Sequence, residues 1–205
     1  MNIFSFFIKK NIIFVHVPRT GGSSIERHIC WKNNFPVVGH DTRKPNYKYL
    51  KDRPRLYNKD NFIFTFVRNP WDRLVSAFFY LNEGGGNPKD EKDRKKYLAK
   101  YEGNFKKFVK DAFANKKILE QIHFKPQYKW ICNNNKELLI DFVGKFENFN
   151  KDLDKLSKKL EIELDYPPVS NKSDHKFYRD YYDEETKRII KNAYKKDVAL
   201  FNYNF

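Results

Sequence analysis

Two short stretches of this chain carry residue types suited to holding an anion. The first is Val17-Pro18-Arg19-Thr20-Gly21-Gly22-Ser23-Ser24. Its glycines let backbone N–H groups approach an oxyanion closely, the hydroxyls of Thr20, Ser23 and Ser24 add donors, and Arg19 supplies a permanent charge. The second is Arg68-Asn69-Pro70-Trp71-Asp72-Arg73-Leu74-Val75-Ser76, with Arg68 at its head and Ser76 about two helical turns further on. A second phosphate is expected there, while Arg73 and Asp72 read equally well as charges on a helix surface. The nucleotide-triphosphatase loop needs a Gly-Lys pair followed by Ser or Thr, whose lysine reaches phosphate and whose hydroxyl holds magnesium. That Gly-Lys pair is missing here.

These stretches need elements to position them. Ile12 to Val17 is an apolar, β-rich run ending at Pro18, and Phe62 to Val67 is another ending at Arg68-Asn69-Pro70, so both read as buried strands. After the first, Ile25 to Trp31 continues as a helix. After the second, Asn69 caps a helix with Pro70 at its first position and Leu74, Phe78 and Leu81 on one face. Each unit is strand, polar turn, helix, which aims backbone N–H groups and a helix start at one point beyond the sheet.

Further along, residues 83–103 hold Gly84-Gly85-Gly86 and then the dense charges of Lys89 to Lys96. They read as a charged excursion, a mobile loop or solvated helix, with a surface role expected ahead of a lid. Phe105, Phe108, Val109, Ala112 and Phe113 form a core-facing helical stripe, and Leu138 to Val143 reads as a third strand. Leu153, Leu156 and Leu160 mark another helix, and Asp183-Glu184-Glu185 starts a last one through Ile189, Ile190, Ala193 and Tyr194. Strands separated by helices imply an α/β fold with a parallel sheet covered on both faces, in one domain over residues 1–205.

Composition narrows the partners. Lys and Arg total 41 against 26 Asp and Glu, a net charge of +15 that favours anionic ligands, and 40% apolar with 18% aromatic residues excludes intrinsic disorder. The longest apolar runs fall well short of the roughly 20 residues of a spanning helix, and Met1 to Lys10 lacks a secretory cleavage pattern, so a soluble cytoplasmic chain with no membrane span is expected. Cys30 and Cys132 have no metal-ligand spacing and read as reduced structural residues. No residue pattern specifies an oligomeric state.

Val15-His16-Val17-Pro18-Arg19-Thr20-Gly21-Gly22-Ser23-Ser24 resembles the 5′-phosphosulfate loop of the carbohydrate sulfotransferases, and Phe66 to Ser76 resembles their 3′-phosphate element. Asp141 to Asn148, Asn171-Lys172-Ser173 and the stretch from Tyr194 to Phe205 are similar to further family segments, so the resemblance spans the chain except near residues 83–103. It implies a P-loop-kinase-like central parallel sheet flanked by helices, which binds 3′-phosphoadenosine-5′-phosphosulfate and moves its sulfuryl group to a carbohydrate hydroxyl. Arg19, Thr20, Gly21, Gly22, Ser23 and Ser24 would surround the phosphosulfate. Arg68 and Ser76 would hold the 3′-phosphate, and Asn171, Lys172 and Ser173 would complete the nucleotide pocket.

One departure from the family is Arg19, where lysine is usual. Lysine can stabilise the bridging oxygen and give it a proton, whereas arginine stays protonated and acts as an electrostatic clamp. No metal is expected, because a sulfuryl group carries less negative charge than a phosphoryl group. The in-line displacement needs a base near the acceptor. His40, after Val37-Val38-Gly39, is the first candidate by resemblance, and His123 in Gln121 to Gln127 is the second. A solvated loop histidine is the alternative reading of both, His16 and His28 read as packing or surface residues, and His175 is the remaining histidine. Glu147 reads as a buried carboxylate orienting an arginine, with the base as its alternative role. Arg43, Lys44, Arg53 and Arg55 beside His40 would suit an acidic glycan, and equally read as solvated charge. Two competing functions stay open, a small-molecule kinase using the same cradle and a basic nucleic-acid-binding protein. The first lacks its Gly-Lys-Ser/Thr, and the second lacks a clustered aromatic and basic platform, so no nucleic-acid partner is expected.

Overall fold

The computed structural model describes residues 11–39, 52, 56, 60–114, 117–168 and 175–205. Its centre is a sheet of β1 (Asn11–His16), β2 (Val37–Gly39), β3 (Asn61–Val67) and β4 (Phe142–Lys145), ordered β2-β1-β3-β4 and parallel throughout. β1 and β3 pair from Asn11 with Asn61 to Val15 with Thr65. Every residue of β3 is buried, which accounts for an unbroken apolar run rather than an alternating one.

Both faces of the sheet are covered. On one side Phe14, Phe64 and Phe66 pack against Ile25 and Ile29 and against Leu153 and Leu156. These partners sit on α1 (Gly22–Ile25), on the π-helical turn Glu26–Cys30 that continues it, and on α6 (Phe149–Leu160). On the other side Ile13, Val15, Ile63 and Val67 meet Trp130 and Ile131 of α5 (Tyr128–Ile131) and Phe201 and Tyr203 of the C-terminal tail. Each such buried side chain contributes roughly 1.5–3 kcal/mol, so the two faces together hold the sheet shut. A third cluster joins Leu74, Phe78 and Leu81 of α2 (Pro70–Asn82) to Phe105 and Phe108 of α4 (Phe105–Ala112) and to Ile190 of α7 (Glu184–Ala193). The arrangement is the expected α/β fold, a parallel sheet flanked by helices. Among the described residues no helix is long and apolar enough to cross a membrane.

Boundaries differ from the sequence reading in three places. The predicted third strand starts four residues late, at Phe142, because Leu138 bridges Cys132 and Asp141 is held at the edge of the sheet. There the Asp141 carboxylate accepts from Ile63 N at 2.7 Å, and its own amide donates to Ile63 O at 2.8 Å. Val37–Gly39, read as a connector, is the edge strand β2. The last helix ends at Ala193, and Tyr194, outside helical geometry at φ −106 and ψ 24, separates it from α8 (Lys195–Leu200). The charged excursion contains α3 (Pro88–Tyr97), capped by the Asn87 side chain on Lys89 N and Asp90 N. It is not wholly solvated, since Asp90, Leu98 and Tyr101 are buried.

Gly144 shows how close the sheet packing is. A Cβ there would lie 2.5 Å from the ring of Phe66, its partner across the β3–β4 register. The ring is fixed in the core, so overpacking has no cheap relief. Gly144→Ala should destabilise the protein by about 1–3 kcal/mol, read as a lowered urea midpoint with an unchanged slope.

Candidate active site

Strand order places the site. The chain leaves β1 for β2 on one side and reaches β3 on the other, so the carboxyl ends of β1 and β3 open onto the point where the order reverses, the usual ligand crevice of such sheets. The two anion motifs follow these two adjacent strands directly.

After β1 the chain turns sharply, with Arg19 at φ 68 and Gly21 at φ 80. Gly21 adopts this left-handed geometry freely, whereas Arg19 is strained by it. The buried Thr20 hydroxyl donates to Val17 O at 2.9 Å and closes the turn. Gly22 rests on His16, whose ring would lie 2.1 Å from any added Cβ. His16 is held in turn by Glu26, its Nδ1 3.0 Å from Oε2. The loop therefore has a fixed floor. Of the three hydroxyls expected as donors, Thr20 and Ser24 donate to main-chain carbonyls, Ser24 to Pro168 O at 3.0 Å. Ser23 is part-exposed at the start of α1.

After β3, Gln127 grips the main chain of Arg68 from both sides, accepting from its N–H at 2.9 Å and donating to its carbonyl at 2.8 Å. The Arg68 guanidinium makes a forked pair with Asp72 at 2.7 and 2.9 Å and lies 4.3 Å from the centre of the Phe146 ring. Asn69 caps α2 by accepting from Trp71 N, and its side-chain amide donates to Asn204 O. Glu147, expected to orient an arginine, is exposed and accepts from the Asn69 backbone amide and the Tyr203 hydroxyl. It holds backbone and a tyrosine hydroxyl instead of an arginine.

Arg73 is the larger departure from the surface-charge reading. At 1% exposure it donates to Pro18 O at 3.0 Å, His123 O at 3.2 Å and Lys125 O at 2.7 Å. Three carbonyls satisfy a buried charge that burial pushes below the usual arginine range. The residue ties the first loop to the turn carrying His123.

The two motifs touch. Arg19 donates to Ser76 Oγ from Nε at 3.2 Å and from Nη2 at 2.9 Å, and Arg68 Nη1 donates to Arg19 O at 3.4 Å. Burial and then the neighbouring Arg68 charge lower the Arg19 guanidinium to about 10. The two arginine-bearing loops are in contact, and their two guanidinia are a donor set that fits a ligand with two anionic ends.

Among the histidines, His16 is buried under the loop, His28 is exposed and His175 is part-buried against Phe79. His123 is buried, with Nε2 3.1 Å from Asp90 Oδ1. Burial pushes its imidazole below the usual value and outweighs the Asp90 carboxylate, so it is neutral near pH 7. Burial acts to raise the Asp90 carboxyl, but its hydrogen bonds to His123, Gly86 N and Tyr80 hold it at about 2. The Tyr80 ring bridges this pair to Arg19, 4.2 Å from the guanidinium carbon. His40, Arg43, Lys44, Arg53, Arg55, Asn171, Lys172 and Ser173 lie outside the described residues. Among the described residues no three His, Cys, Asp or Glu side chains group as metal ligands.

Sequence reasoning passed over Tyr80, Asp90, Gln127 and Phe146. Gln127 lay inside a quoted stretch, whereas Asp90 was one charge in a run of charges.

Residues 4–204 match the family model described as the sulfotransferase family. The chain belongs to the sulfotransferase family. An uncharacterized protein of Archaeoglobus fulgidus is 31% identical over 105 residues, covering 50% of this sulfotransferase and 72% of the relative. The crystal structure of a sulfotransferase from Alicyclobacillus acidocaldarius superposes with a TM-score of 0.42 at 15% identity, over 96% of this chain and 97% of that one.

Gln127, which grips Arg68, is itself seated by a buried carboxylate. Asp197 of α8 accepts from Gln127 N at 2.7 Å and Tyr128 N at 2.9 Å. Burial raises it from 3.8 to about 6 despite those two bonds. A folded value above the unfolded one means that the folded state binds the proton more tightly. The associated stability is full below about 3.8 and is lost as the pH rises through about 6. The stability difference between the parent and Asp197→Asn, from urea unfolding, should shift against the parent over that interval. A difference flat in pH would show that Asp197 does not titrate there.

Proposed function

We propose that this sulfotransferase takes its sulfuryl group from 3′-phosphoadenosine-5′-phosphosulfate and delivers it to a carbohydrate hydroxyl. The observation that carries the reading is the direct contact between the two anion motifs, Arg19 on Ser76 and Arg68 on Arg19 O. A donor with charge at both ends of one nucleoside needs cationic groups from both motifs beside one ligand, and the contact between the loops that follow β1 and β3 supports that reading.

When bound, the donor supplies the sulfuryl group and a bisphosphate leaving group. Arg19 and the amides of Gly21, Gly22 and Ser23 face the phosphosulfate end, with Thr20 and Ser24 shaping the turn. Arg68 and Ser76 would hold the 3′-phosphate, and by the family resemblance Asn171, Lys172 and Ser173 would complete the nucleotide pocket. Arg19 stabilises charge on the departing bridge oxygen and, unlike the usual lysine, does not hand over its proton. A histidine takes the acceptor proton, His40 first and His123 second. Lys and Arg near His40 suit an acidic glycan as acceptor.

A kinase reading predicts a different ligand preference. Adenosine 3′,5′-bisphosphate at a hundredfold excess over its Kd should add about 2.7 kcal/mol, raising Tm by roughly 5–10 °C. ADP with magnesium should add less. Arg68→Ala should lose most of that shift, and equal stabilisation by adenosine 5′-monophosphate in the parent would sink the 3′-phosphate assignment. His40→Ala should abolish transfer to a glycan acceptor with bisphosphate affinity nearly intact, and unchanged turnover would move the base to His123.

A further inference from the structure

The excursion at residues 83–103 delivers one carboxylate to the site. Asp90, on the first turn of α3, is 2% exposed. It accepts from the Tyr80 hydroxyl at 2.9 Å, the Asn87 side-chain amide at 2.8 Å and the Gly86 amide at 3.0 Å, and it faces His123 Nε2 at 3.1 Å. Asn87 and Gly86 belong to the local turn. Tyr80 and His123 come from elsewhere in the chain, and both lead toward Arg19.

The turn is built around this residue. Gly84 and Gly85 sit at φ 97 and φ 67, and a Cβ at Gly85 would lie 2.2 Å from Asp90 Cβ. Glycine lets the chain fold back so that the carboxylate reaches inward. A helix whose four lysines are exposed gains no solubility from burying this carboxylate. The cost of burial is offset by the four groups around it.

We propose that Asp90 is a positioning residue of the sulfuryl-transfer site, fixing His123 in its neutral Nε2–H tautomer and anchoring the Tyr80 ring beneath the Arg19 guanidinium. The inference rests on the proposed donor reading, in which Arg19 faces the transferring group. A neutral imidazole opposite an ionised carboxylate presents its N–H there, which leaves Nδ1 as the basic ring atom. Tyr80 is the link to Arg19, with its ring centroid 5.5 Å from that of His123 and 4.2 Å from the guanidinium carbon. Held through its hydroxyl by Asp90, the ring forms one side of a seat whose other side is Ser76 Oγ. Arg19 needs such a seat because its backbone is strained and Arg68 repels it. Its charge is further supported by Asp90 and Glu83, while Arg19 and Arg73 both oppose protonation of His123.

The test combines imidazole nitrogen NMR with donor hydrolysis on the full chain. Hydrolysis breaks the sulfur bond to the 5′-phosphate oxygen, forms one to water oxygen and releases the water proton to solvent, so no glycan has to be known. Parent His123 should show a single Nε2–H signature at about pH 7 to 8. Asp90→Asn should lose that preference and lower kcat for hydrolysis about tenfold or more, with the donor KM within about threefold. Tyr80→Phe, which keeps the ring and drops the O–H, should lose part of kcat, and the double variant should lose less than the product of the two effects. Parent-like kcat and tautomer in Asp90→Asn overturn the inference. So does a loss in which kcat, bisphosphate affinity and Tm all fall together, or an Nδ1–H tautomer in the parent should Asp90→Asn not fold. A parent that neither binds the bisphosphate nor hydrolyses the donor overturns the donor reading itself, whereas an active parent matched by Asp90→Asn overturns this inference alone.

Discussion

The parallel pairing of β1 with β3 is the constraint on which the rest of the molecule depends. Main-chain bonds from Asn11 opposite Asn61 to Val15 opposite Thr65 set the register, and the Thr65 hydroxyl adds a bond to Val15 O at 2.7 Å in the interior. Strand spacing in a sheet is just under 5 Å, so two loops leaving the same edge of neighbouring strands meet whatever their own sequences prefer. A slip of β1 by one residue would turn Phe14 to the face opposite Phe64 and separate Arg19 from Ser76.

That adjacency concentrates positive charge, and much of the surrounding structure manages it. Arg68 leans on Asp72 and Phe146, Arg73 is absorbed by three carbonyls, and Arg19 lies between Tyr80 and Ser76. Each of the three has partners, so their side chains are pre-positioned, as the proposed anionic donor would require. The same bonds weld the elements together, because Arg73 reaches from α2 to both the glycine loop and the His123 turn.

A pair of carboxylates, Asp197 buried and Glu147 exposed, fixes backbone. Asp197 seats Gln127 and Tyr128, Gln127 grips Arg68, and Glu147 receives the next amide along. The arginine at the end of β3 is therefore held in place from the far end of the chain. This gives the C-terminal tail a part in the site that its distance in sequence conceals.

Local patterning was enough to read the two long strands, the strand–turn–helix units and the helical stripes, because apolar runs, caps and periodicity act over a few residues. Asn69 with Pro70 and the Phe105 to Phe113 stripe are of that kind. The two candidate anion motifs are contiguous as well, so their residue types pointed to them before the resemblance did. Tertiary packing alone decided that Arg73 is internal, that Glu147 holds an amide rather than an arginine, and that Asp90 leaves its run of charges to meet His123. A charge in isolation prefers water. Which charge is withdrawn from it depends on the hydrogen-bonding groups that distant segments bring within about 3 Å, and no local pattern in the chain encodes that distance.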